Sequence, residues 1–107
     1  MNFISRRLLS TTVRLANKIE QRFVLATDSI VNNALDQDLA TKLRLYALFK
    51  QATEGPCTMK KPPREDFAKR YKWDAWHGLG NMSKQAAMDE YVGLANEVLE
   101  HQGKPGI

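Results

Sequence analysis

Tyr46, Phe49 and Lys50 stand at i, i+3 and i+4 in the run YALFKQATE. On a helix they share one face. Two flat rings beside a cation form either ordinary packing under a snorkelling lysine or a seat for a flat, anionic ligand. Catalytic chemistry has little to work with. The only nucleophile–base pairs available join Cys57 to His77 or His101, and Cys57 lies in a Gly-Pro loop without an oxyanion-stabilising pattern. A single cysteine excludes an intrachain disulfide and a cysteine-based zinc site, and the two histidines are too far apart for a short metal motif. No cofactor is expected, and the lone thiol suits a reducing compartment.

Charge is distributed unevenly along the 107 residues. The formal net charge is +4. Residues 1–22 hold five basic side chains and one acid, so the remainder, with 11 of each, is neutral. Inside that remainder, residues 42–72 carry nine basic groups against Glu54, Glu65 and Asp66. A neutral body without a nucleic-acid motif argues against RNA or DNA as partner. No apolar run reaches the length of about 18 residues that a spanning helix requires.

The opening stretch MNFISRRLLSTTVRLANKIEQRF has no acid before Glu20 and mixes arginine with serine and threonine. That composition is typical of a transit peptide. On a helix Phe3, Arg6, Arg7, Ser10 and Arg14 follow one side, while Ile4, Leu8, Leu15 and Ile19 trace much of another. Residues 1–22 are expected to direct the chain to mitochondria, into the matrix, with the cytoplasm or peroxisomes as the alternative locations. The alternative is a basic first helix that belongs to the fold.

After the leader the pattern is helical throughout. Phe23, Ala26, Ile30, Ala34 and Leu35 predict a short amphipathic helix, and Asp36 and Asp38 offer N-cap oxygens for the next. In that second helix Leu39, Leu43, Tyr46 and Lys50 run along one side, Leu45, Leu48 and Ala52 along an adjoining one, and Gly55-Pro56 ends it. Residues 57–63 form a loop because Pro62-Pro63 cannot sit inside a helix. A third helix over about 65–79 uses Phe67, Tyr71, Trp73 and Trp76, with Glu65 and Asp66 near its positive end. Ser83 caps a fourth, whose seam is Met88, Tyr91, Val92, Ala95, Val98 and Leu99, and Gly103 and Pro105 stop it. The lengths suit four helices around a modest core, with neither repeats nor low-complexity tracts.

YALFKQATEGPCT, then KWDAW after a Pro-containing loop, then MSKQAAMDEYV resembles the acyl-CoA-binding protein family over residues 23–102, leaving 103–107 as a tail. KLRLYALFKQATEGPC is especially similar to the module of this family that precedes the catalytic domain in some enoyl-CoA delta isomerases. The 107 residues leave no room for that enzyme. The resemblance implies an all-α four-helix bundle with an up-down-down-up path, a non-catalytic monomer, and carriage of long-chain acyl-CoA toward acyl-CoA-using enzymes. It implies ligand contacts at Tyr46, Phe49, Lys50, Lys72 and Tyr91, with Leu43 and Lys69 as weaker candidates.

Three departures bear on affinity. Phe49 fills a position that is often Tyr, which keeps the stacking face and loses a hydroxyl. Val31 stands where some members carry a lysine, and Tyr71 stands where Ala is common before KWDAW. Coenzyme A, with a 3′-phosphate, a pyrophosphate, an adenine and an apolar tail, needs fixed cations, aromatic faces and an open groove. Lys50 and Lys72, from different helices, could close on the same phosphate. Taken singly, both would be ordinary solvated lysines. Trp73 and Trp76 are assigned to packing, and Met59, Met82 and Met88 to gap filling. The competing reading is a helical interaction module whose groove receives a partner helix.

Overall fold

The computed structural model describes residues 18–32 and 37–107, and among these every regular element is a helix. They are α1 (Lys18–Asn32), α2 (Leu39–Glu54), α3 (Phe67–His77) and α4 (Lys84–His101). In α1, Ile19, Phe23, Ala26 and Ile30 recur at spacings of four, three and four. Phe23 and Ala26 are buried, and the two isoleucines pack against the core beside them. This stripe explains why the helix begins five residues earlier than Phe23: Ile19 extends it by a turn, and Glu20 suits the positive end. Residues 18–22 are therefore helical, and residues 1–17 of the expected leader lie outside the described residues. So do Ala34, Leu35 and Asp36.

Capping sets the other boundaries. The Asp38 carboxylate accepts the Thr41 amide at 2.7 Å, and hydrogen bonding by the Thr41 side chain, then by its backbone, holds that carboxyl below its usual range; α2 starts there. Ser83 does the same for α4, its Oγ accepting the Ala86 amide at 3.0 Å. Asp66 stands at the N-cap of α3 without a side-chain cap bond, and the helix is shorter than expected at both ends. Leu79 falls in the turn that follows it.

Pairwise contacts give the path. Tyr46 faces Lys72, and Lys50 faces Trp76. Both positions advance by four together, so α2 and α3 run parallel. Arg44 bonds Glu90, and Gln51 bonds the carbonyls of Gly80 and Met82, so α4 runs opposite to α2. With α1 opposite to α2 the bundle is up-down-down-up. Parallel neighbours cannot be joined by a tight turn, which is why residues 55–66 form a long crossing connection.

The core is Phe23, Ala26, Leu45, Leu48, Ala52, Ala87, Tyr91, Val92 and Ala95, with Leu99 also fully enclosed. Each enclosed leucine contributes about 1.5–3 kcal/mol. Met88 of the expected seam is only partly covered, and Ala87 takes the inner position. Phe67 and Tyr71 do not belong to the buried face of α3: they are 69% and 52% exposed. The residues after α4 fold back, with the Ile107 amide donating to Asn96 Oδ1 at 2.6 Å and its side chain against the core.

Candidate ligand-binding site

The parallel seam between α2 and α3 carries a cation over an aromatic ring twice. Lys72 Nζ lies 5.4 Å from the centre of the Tyr46 ring, and Lys50 Nζ lies 5.0 Å from the centre of the Trp76 ring. The two pairs are one helical turn apart, roughly 6 Å along the axis. Both rings hold a cation close through their negative faces, about 0.5–1 kcal/mol each at exposed positions.

Local bonds hold this seam in register. The Trp76 indole is 2% exposed and donates to the Gly55 carbonyl at 3.0 Å, tying α3 to the end of α2. Gly55 can place that carbonyl because it adopts φ 84°, a left-handed value that favours glycine. Trp73 donates to the Met59 carbonyl at 2.8 Å and stacks on His77. Gln51, wholly buried, donates through Nε2 to Gly80 O at 3.0 Å and Met82 O at 2.8 Å. One amide thus fixes the turn between α3 and α4 against α2.

A second aromatic group lies toward α1. Phe23 stacks on Phe49 with centroids 6.0 Å apart and meets Tyr91 edge-on at 5.2 Å. Phe49 is 40% exposed, leaving part of its ring to solvent. Tyr91 is buried, and that burial pushes its phenol up to about 12. The phenol stays neutral and able to donate a hydrogen bond at physiological pH.

The two lysines differ in their partners. Lys50 is bonded to the Glu54 carboxylate one turn later, and this bond raises its pKa. Lys72 has no carboxylate partner among the described residues. Of the two ammonium groups, only that of Lys72 is free of an internal counter-ion among the described residues.

Tyr46, Lys50 and Lys72 of the expected set therefore gather on the α2–α3 seam, while Phe49 and Tyr91 are joined through Phe23. Leu43 is half-buried on the same helix. Lys69 points to solvent, its side chain 75% exposed, and pairs with Asp66 at 3.5 Å. Val31 is 73% exposed. Four residues around the site went unread in the sequence: Phe23 and Trp76 as ring partners, Gln51 as a clamp, and Glu54 as the partner of Lys50. Of these, Glu54 alone had a local signal, the i, i+4 spacing of opposite charges.

A profile of the family described as "Acyl CoA binding protein" matches residues 20–95. The chain belongs to the acyl-CoA-binding protein family. Enoyl-CoA delta isomerase 2 of Rattus norvegicus is 45% identical over 92 residues, 81% of this chain and 24% of the relative. Acyl-CoA-binding domain-containing protein 5 of Bos taurus is 52% identical over 58 residues, 54% of this chain and 11% of the relative. The chain thus spans a minor part of each. The crystal structure of Oryza sativa acyl-CoA-binding protein 2 superposes with a TM-score of 0.76 at 33% identity, over 79% of this chain and 94% of that one. The match starting at residue 20 falls inside α1, consistent with Ile19 and Phe23 packing as parts of one domain.

This domain also has a region that suits no phosphate. A cavity of about 440 Å³ lies at the far end of the bundle, between Asp38 and Thr41 of the α2 start and Leu94, Glu97 and His101 of α4. Among the described residues its lining includes the carboxylates of Asp38 and Glu97 and no lysine or arginine. An anion would be repelled there and attracted to the opposite seam.

Proposed function

We infer that this chain binds and carries long-chain fatty acyl-CoA esters without transforming them. On this reading Lys72 and Lys50 take the ribose 3′-phosphate, Tyr46 and Phe49 offer faces to the adenine, and Tyr91 donates a hydrogen bond from the rim of the core. The supporting observation is the parallel seam, where two lysines one turn apart each lie over an aromatic ring. A cationic pocket beside exposed aromatic surface fits a ligand that joins phosphates, a flat base and an apolar tail. The acyl chain contributes through burial, at about 0.8 kcal/mol per CH₂ at most. The domain acts as a monomer and passes its cargo to acyl-CoA-using enzymes, and a leader within residues 1–22, whose last five residues also open α1, directs it to mitochondria.

Calorimetry on Lys50→Ala tests the head-group assignment. Palmitoyl-CoA binding is expected to weaken by about 1.5–3 kcal/mol, the range for hydrogen bonds to charged groups, with little change in Tm. The same substitution should cost much less with palmitoyl-dephospho-CoA, which lacks the 3′-phosphate. Equal losses for the two ligands would place Lys50 elsewhere on the nucleotide. For the leader, residues 1–22 fused to a fluorescent protein should enter mitochondria, and diffuse cytosolic fluorescence would refute the targeting role.

A further inference from the structure

Glu54 occupies a position that helix stability does not explain. It is the last residue of α2, where the exposed carbonyls make the helix end negative and a carboxylate is unfavourable. It also follows Lys50 by four residues, the weaker of the two orders for such a pair. Nevertheless its carboxylate bonds the Lys50 ammonium. Lys50 is the more enclosed partner, its side chain 23% exposed against 52% for Glu54. The ring of Trp76 lies under the same ammonium. Lys50 therefore has both an anion and an aromatic face beside it, whereas Lys72 has only its ring among the described residues.

We propose that Glu54 is a built-in competitor for the ligand phosphate, occupying Lys50 until an incoming anion displaces it. This rests on the acyl-CoA reading above and adds an order to it. Lys72 meets the phosphate first, because it has no carboxylate to give up. Lys50 joins only by exchanging Glu54 for the phosphate, so part of its attraction is spent breaking an existing pair. The more exposed partner is the one that leaves, and water receives its carboxylate. Glu54 thus lowers affinity for any phosphate at the seam and keeps the enclosed lysine from being an unpaired charge when the site is empty.

The test is a double-mutant cycle on the full chain, titrated with palmitoyl-CoA at fixed ionic strength, using Glu54→Gln, Lys50→Ala and the double variant. Glu54→Gln should tighten binding about two- to fivefold, the range corresponding to an exposed ion pair. In the Lys50→Ala background the same change should do nothing, because no ammonium remains to be released. Unchanged or weaker binding by Glu54→Gln would overturn the proposal and make Glu54 a group that positions Lys50. Equal tightening in both backgrounds would also overturn it, since that is what removing any nearby negative charge would do. Circular dichroism checks that Glu54→Gln keeps its helices. If the unaltered chain fails to bind palmitoyl-CoA, the acyl-CoA reading itself falls.

Discussion

Gln51 shows how one side chain can serve a binding site without touching the ligand. It lies between Lys50 and Ala52 in the run KQAT, and its Nε2 reaches two carbonyls of the turn that joins α3 to α4. Gln51→Leu would keep the volume and leave both part-buried carbonyls without their donor. Urea unfolding should show a loss of about 2–4 kcal/mol, compounded from the cost of each unsatisfied group. A loss under about 0.5 kcal/mol would mean that water or a shifted turn satisfies those carbonyls. Lys50, its neighbour in sequence, has the opposite role: it faces the seam, and its removal should affect binding more than stability. Adjacent residues of one motif thus separate into structure and recognition, because a helix turns them to different faces.

At the scale of elements, the connection from α2 to α3 decides the site. Parallel helices bring Tyr46 opposite Lys72 and Lys50 opposite Trp76 in the same sense, and the connection starts at Gly55. Its φ of 84° with ψ of −158° lies in a region reserved almost entirely for glycine. Gly55→Ala is expected to cost about 1–3 kcal/mol through backbone strain alone. Space is available, since the nearest atom to an added Cβ is the flexible Lys84 Cε at 3.6 Å. Thermal unfolding measures it, and an unchanged Tm would show that the turn adopts another geometry at little cost.

Much of this level could be read in advance, for local reasons. Asp38 and Ser83 are short acceptors placed before periodic apolar residues, and both cap their helices as expected. Gly55-Pro56 ended α2 for the same local reason. What could not be read was long-range. Phe67 and Tyr71 looked like core residues because aromatics usually are, but α3 packs through Trp76 and turns those two outward. The contact of Phe23 with Phe49 and Tyr91 joins three helices and leaves no trace in spacing. The start of α1 was obscured by the basic composition before it, which drew residues 18–22 into the leader although Ile19 continues the apolar stripe.

For the whole molecule, the governing asymmetry is electrostatic. The basic middle of the chain contributes Lys50 and Lys72 to one region of the bundle, while Asp38 and Glu97 line the cavity at the other end. An anionic amphiphile would be steered toward the seam at low salt, and raising ionic strength should weaken that pull. Family membership supplies the class of ligand, and the central claim is that head group and tail are both needed. Calorimetry on the full chain with palmitoyl-CoA, free CoA and palmitate tests it most directly. The account predicts that palmitoyl-CoA binds far more tightly than either fragment, because only the ester engages the lysines and buries an acyl chain together. Palmitate binding as tightly as palmitoyl-CoA would contradict it.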